Sequence, residues 1–181
     1  MNHLIETVET KNLIIRNTIL KDEKDLNIII ESWDDKFEVE GEYFDEDYIK
    51  NCIMHGDLPP AENSNKDNYR LKSIVLKETN ELIGFFDLYY GYPTNETVWT
   101  SIFLIDKSYR KRGLAQEVIE YITHNSKTAG FSKAGVGVHL KNWTGLRFWT
   151  KAGYDKIFTI YGDKKYSEKT YSLVGLEKCL Q

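Results

Sequence analysis

Arg110, Lys111 and Arg112 stand directly before Gly113-Leu114-Ala115-Gln116, and this short run is the part of the chain best suited to chemistry. It reads as a cationic loop opening a helix. The first-turn amides of a helix have no partner within the helix, and the dipole there is positive, favouring a phosphate-like anion by about 0.3–1 kcal/mol per charge. Gly113 lets backbone approach such a ligand closely, Ala115 keeps the next position small, and the three basic side chains add charge-assisted hydrogen bonds. The segment lacks the G-x-x-x-x-G-K-[ST] pattern of a nucleotide phosphate loop. A nucleic-acid surface would extend the basic patch with aromatic residues, and would normally sit on a basic chain. Here 24 Lys+Arg face 28 Asp+Glu, for a net charge of −4. Taken alone, the three basic residues are equally compatible with a solvated loop.

The elements around this loop follow from periodicity. Leu13-Ile14-Ile15, closed by Arg16-Asn17, reads as a first strand. Asp22 is placed to cap a helix, with Asp25 in its first turn and Leu26, Ile29, Ile30 and Trp33 at helical spacing. A second helix begins at 45–47, with Tyr48, Ile49, Cys52 and Ile53 on one face, and the Pro59-Pro60 stretch over 58–68 is a loop. Strands over 71–77, 82–90 and 98–105, joined by short turns, imply an antiparallel meander. A helix over 113–128 carries Leu114, Val118, Ile119 and Ile122 on one face, and Val136, Val138 and Leu140 alternate as a strand. A helix over 144–152 stops at Gly153, which suits a left-handed cap, and strands over 154–161 and 166–174 finish the chain. The order is β-α-α-β-β-β-α-β-α-β-β: an α/β (α+β) fold with a mixed sheet of about seven strands and about four helices. With no repeat or linker, 1–181 is expected to be one domain, its core over about 10–175.

Length and composition bound the rest. A chain of 181 residues and 21.2 kDa is the size of one domain. No apolar run approaches the ~20 residues of a membrane-spanning helix, so no membrane partner is expected. The segment 1–9 is polar and acidic and lacks the apolar centre of a secretory signal. Two cysteines, Cys52 and Cys179, make no disulfide framework and fit a reducing, cytoplasmic setting. His3, His55, His124 and His139 have no metal-ligand spacing, so no metal is expected.

Arg110-x-x-Gly113-x-Ala115 resembles the R/Q-x-x-G-x-G/A signature of the GNAT superfamily of N-acetyltransferases. Asn142-x-x-Gly145-x-x-Phe148-Trp149-x-Lys151-x-Gly153-Tyr154 resembles that superfamily's second block, and Thr10-x-x-Leu13-x-Ile15-Arg16 resembles the start of its ribosomal-protein N-terminal acetyltransferase branch. The resemblance implies the GNAT fold, with acetyl-CoA as donor. It places the pyrophosphate on the amides of Lys111, Arg112, Gly113, Leu114, Ala115 and Gln116, beside Arg110. It runs the pantetheine along Phe103, Leu104 and Ile105, and admits the thioester between that strand and the next. Asn142 would touch the pantetheine or the acetyl end; capping its helix is an equally ordinary use, and the two are compatible.

Transfer requires a neutral amine, and an ordinary lysine-like amine of pKa ~10.4 costs roughly 4–5 kcal/mol to present deprotonated at pH 7. A base and an oxyanion donor are therefore needed, and the resemblance puts the donor at the backbone N–H around Leu104. Many members carry a tyrosine acid seven residues after the asparagine. Here that residue is Trp149, a donor only, which is expected to pack on the pantetheine or the core. Trp99 and Ser101 occupy the strand positions where some members carry a base, and neither is one. Glu96, Asp87 or Glu42 acting through water, or His139, are the candidates that remain, and a histidine placed like His139 is more often structural. The acceptor side falls on the acidic, aromatic stretch 33–47, with Trp33, Glu40, Glu42 and Tyr43 as its candidate residues. Such a wall attracts a cationic small-molecule or peptide amine, such as a polyamine or aminoglycoside, although the same acids also make an ordinary solvated face. The departures at Trp149, Trp99 and Ser101 leave a second reading, an acyl-CoA-binding sensor of the same fold. The two C-terminal strands could pair in a homodimer, and no feature of the sequence decides that.

Overall fold

The computed structural model describes residues 7–180; most of the leading segment 1–9, with His3, therefore lies outside the described residues. The chain runs β1 (Thr7–Glu9), β2 (Leu13–Asn17), α1 (Glu23–Glu31), α2 (Lys36–Glu40), α3 (Tyr48–Met54), β3 (Tyr69–Leu76), β4 (Glu81–Tyr90), β5 (Thr97–Thr100) and β6 (Phe103–Ile105). It continues through α4 (Leu114–Thr128), β7 (Lys133–His139), α5 (Trp143–Lys151), β8 (Lys156–Gly162) and β9 (Ser172–Cys179). Among the described residues, nine strands make one mixed sheet ordered β1-β2-β3-β4-β5-β7-β9-β8, with β6 paired to β4 alone. The expected meander is present as β3-β4-β5, antiparallel throughout, and β5 then meets β7 in parallel.

Period-two alternation divides the strand side chains between two faces. One face packs Ile74, Ile83 and Phe86 against Leu114, Val118 and Ile122 of α4 and Trp149 of α5. The other packs Leu71, Phe85 and Leu104 against Leu26 and Ile29 of α1 and Ile49 and Cys52 of α3. Fully burying an aliphatic side chain contributes about 1.5–3 kcal/mol, so these two layers hold the helices on the sheet.

Five features differ from the sequence expectation. The short β1 adds an edge strand, and the five-residue α2 adds a helix within the acidic stretch. The strand expected over 98–105 is two strands, broken at Ser101-Ile102. The last strand lies at Ser172–Cys179 rather than 166–174, because 163–171 satisfies itself as a loop: Asp163 accepts from the Tyr171 amide at 2.8 Å, and Ser167 and Thr170 bond each other. Asp22 does stand at the start of α1. Its carboxylate, however, takes Arg16 at 2.6 Å, the Ile19 amide at 3.0 Å and Ser73 at 3.0 Å instead of the first-turn amides.

Candidate active site

The break between β5 and β6 opens the sheet. The parallel pairing of β5 with β7 ends at Thr100↔Val136, and β6 stays with β4, so Gly137–His139 of β7 pair only with β9. Asp87 of β4 holds the break. Its Oδ1 accepts the amides of Ser101 at 2.7 Å and Ile102 at 3.1 Å, while its own amide donates to the Ile102 carbonyl at 3.1 Å. Register then fixes which backbone faces the gap. Ile102 and Asp106 both bond β4, so by alternation Leu104 does too, and the N–H and C=O of Phe103 and Ile105 point away from β4. The amide free for a ligand in the gap is therefore that of Phe103, not Leu104.

A cavity of about 480 Å³ fills the opening. Trp99 floors it, its indole lying across Gly135 and Gly137, where an added Cβ would come within 2.9 and 3.3 Å of the ring. Phe103, Asn142 and Trp149 form one side, and Trp33, Phe44 and Tyr48 stand opposite with the carboxylates of Glu40, Glu42, Asp45 and Asp57. Burial pushes the pKa of Asp57 up, against a lowering hydrogen bond from Tyr48. Asp87 lies behind the wall, 1% exposed, and burial pushes it up to about 8 despite the two amides on Oδ1. His139 reaches the cavity with Nε2 3.8 Å from Glu40; burial lowers its pKa against the raising charges of Glu40 and Glu42.

From the cleft, β6 leads to the basic loop, where Arg110 Nε donates to the Ile105 carbonyl at 2.8 Å and fixes the loop to the strand end. Lys111 and Gly113 both adopt left-handed backbone, with φ of 62° and 80°. Among the described residues, no protein acceptor takes the amides of Lys111 through Ala115. A Cβ on Gly113 would meet nothing within 4 Å. Successive unpaired amides at a helix start, with cations on the same loop, are fitted to a phosphate group. Arg112 leans over the Tyr109 ring at 5.4 Å, and Gln116, exposed, bonds Glu120.

The remaining candidates fall as follows. Asn142 caps α5, its Oδ1 accepting from the Gly145 amide at 2.7 Å, and it also lines the cleft. Trp149 is core, edge-on to Phe103, Phe148 and Tyr154. Tyr43 is 75% exposed and stacks on Phe37 at the rim. Glu96 lies outside the cleft: it precedes β5 at the end opposite the break, where its carbonyl takes the amides of Ser132 and Lys133. Lys36, Phe44 and Asp57 are lining residues not among the sequence candidates, and spacing puts Tyr48 only on the face of its helix; the single lysine within the acidic stretch is the one signal the sequence offers for any of them.

The cap makes a measurable prediction. A Cβ on Gly145 would sit 2.7–2.9 Å from the Asn142 carboxamide, so Gly145→Ala and Asn142→Ala each remove the same bond. Each should cost about 0.5–2 kcal/mol in urea unfolding, and the double variant little more than either, since both act on one interaction.

The family model for Acetyltransferase (GNAT) family matches residues 27–154, most of the chain. The chain belongs to the GNAT acetyltransferases. Solved structures agree in fold: an acetyltransferase from Thermus thermophilus superposes with a TM-score of 0.70 at 18% identity, over 95% of this chain and 99% of that one. A GNAT-family acetyltransferase from Bacillus anthracis gives 0.71 at 13%, over 96% and 98%. Spermidine N-acetyltransferase from Vibrio cholerae, in complex with CoA and spermine, gives 0.69 at 12%, over 94% and 97%. No curated protein sequence matches the chain significantly. Among the described residues, no helix of this GNAT protein is long and apolar enough to cross a membrane, and no group of three His, Cys, Asp or Glu side chains could hold a metal ion.

Proposed function

We propose that this GNAT protein transfers the acetyl group of acetyl-CoA to a cationic primary amine. The observation that carries the reading is the opening between β6 and β7, set between a loop of unpaired amides and a wall of four carboxylates. Acetyl-CoA supplies a thioester carbonyl already activated towards attack. In this reading the loop amides from Lys111, with Lys111 and Arg112, hold the diphosphate, and the outward-facing backbone of Phe103 and Ile105 orients the pantetheine. The acidic wall draws the amine in as its ammonium ion.

Asp57 is the proton acceptor in this reading, as the half-buried carboxylate of the wall whose pKa is raised toward the working range. With the ammonium proton passed to Asp57, the neutral amine nitrogen attacks the carbonyl carbon and the Phe103 amide stabilises the oxyanion. The C–S bond then breaks as the nitrogen's second proton passes to the departing thiolate. A thiol has a pKa of ~8.5, so the departing thiolate needs only weak proton donation. That makes a donor-only Trp149 compatible with turnover.

The spermine bound by the Vibrio cholerae structure supports an amine acceptor through likeness of fold. The ribosomal-protein branch finds less support. Thr10 and Arg16 of the opening motif are engaged in the fold, bonding Glu117 at 2.7 Å and Asp22 at 2.6 Å.

The test is incubation with acetyl-CoA and a panel of primary amines while free thiol is followed. Amine-dependent thiol release with a mass gain of one acetyl group on the amine is expected. Coenzyme binding without release for any amine would replace this reading with the sensor, which Trp99, Ser101 and Trp149 favour.

A further inference from the structure

Among the described residues, Lys36 is the one lysine or arginine lining the cleft, and it points inward. Its side chain is 7% exposed, and its Nζ lies 2.5 Å from Glu40 Oε2, 4.4 Å from the centre of the Phe44 ring and 5.6 Å from that of Trp33. An i,i+4 lysine–glutamate pair on a helix normally lies in solvent, where it contributes little. This one is enclosed by two aromatic faces, on a five-residue helix whose neighbouring side chains Phe37 and Glu38 are exposed. Two π faces and a carboxylate are the set that recognises a primary ammonium, and all three groups, with Lys36 itself, line the cavity.

We propose that Trp33, Phe44 and Glu40 form a subsite for a primary alkylammonium ion, and that Lys36 fills it from within the chain. The inference rests on the acetyltransferase reading for its role: the filled box makes Lys36 a specificity-determining residue. A second ammonium on an acceptor cannot enter while Lys36 holds the place. It is left to the exposed carboxylates Glu42 and Asp45, with no enclosing aromatic faces to hold it. Wild-type protein therefore prefers a monoamine to a short diamine, despite the acidity of the wall.

Lys36→Met tests this, since methionine keeps the apolar stem and removes the charge. The probe is propylammonium, read by fluorine resonances of 5-fluorotryptophan-labelled protein, with the Trp33 signal assigned through Trp33→Phe. In K36M, propylammonium should shift the Trp33 signal and bind at least about tenfold more tightly than in wild type, where that signal stays still. With acetyl-CoA, kcat/KM for 1,4-diaminobutane relative to butylamine should rise by a similar factor, and Lys36→Arg should keep the wild-type ratio. A folded K36M whose Trp33 signal ignores propylammonium overturns the subsite, as does wild type responding equally. Should K36M fail to fold with Glu40 deprived of its lysine, K36M/E40Q removes both charges. Its diamine discrimination should then fall, and discrimination at the wild-type level overturns the proposal. The resonance shift needs no turnover, so absence of thiol release with every amine would defeat the acetyltransferase reading and leave the subsite result standing.

Discussion

Gly113→Glu should weaken CoA binding by about 100-fold or more, a loss of roughly 2.7 kcal/mol, in a protein that remains folded. Its φ of 80° makes any L side chain strained there, at about 1–2 kcal/mol, and that strain is the main folding cost because a Cβ meets no atom within 4 Å. The carboxylate, however, would lie among the unpaired amides of Lys111 to Ala115, satisfy them in the ligand's place and repel a diphosphate. Gly113→Ala separates the two effects. It carries the same backbone strain without charge, so it should melt at nearly the same temperature as the glutamate variant and keep most of the affinity. Calorimetric titration of both variants with CoA decides the point. Equal, near-wild-type affinity in the two would take the loop out of the coenzyme site.

That loop was legible because everything it uses is contiguous. Cations, glycine and helix start lie within seven residues, Arg110 to Gln116, and local backbone physics is sufficient to relate them. The cap at Asn142 was legible for the same reason, since its partner Gly145 is three residues on. The acidic wall was visible only as composition. Which of its side chains turns inward is decided by α2, too short to show a period, and by rings that flank it in the chain but enclose it only in the fold. Tyr171 illustrates the same limit. Its β propensity extended a strand over 166–174, whereas its ring packs on Gly41 at the end of α2, where a Cβ would come within 2.6 Å. Parity was equally hidden: that Phe103 and not Leu104 faces the gap depends on a register set by β4. Glu96 was near the site in sequence, but it sits at the wrong end of β5.

The break in the strand shows the point most sharply, because its cause lies 14 residues upstream. An aspartate in a strand otherwise as apolar as β4 can be a catalytic acid or a structural acceptor, and only the break between β5 and β6 distinguishes them. Asp87 meets the two amides that the break frees, and it is not among the residues lining the cavity. It therefore positions the gap in which the chemistry is proposed and does not line it.

Asp87→Ala should accordingly cost about 2–5 kcal/mol in urea unfolding, since it strands the amides of Ser101 and Ile102 at about 1–3 kcal/mol each. It should also lower CoA affinity, because nothing then keeps β6 from closing on β7. Asp87→Asn retains an oxygen for both amides and should preserve fold and affinity. The pair also carries a pH signature. The folded pKa of about 8, raised chiefly by burial, lies above the ~3.9 of an unfolded aspartate. The folded state thus holds a proton that the unfolded chain releases, and this contribution to stability, complete below pH ~4, drains away as pH rises towards 8. Asparagine does not titrate. The melting temperature of D87N relative to wild type should therefore climb steadily from about pH 5 to about pH 8. A flat difference across that range would mean that Asp87 is already ionised in the folded protein, and an alanine variant as stable as wild type would mean that the break is held by something other than this carboxylate.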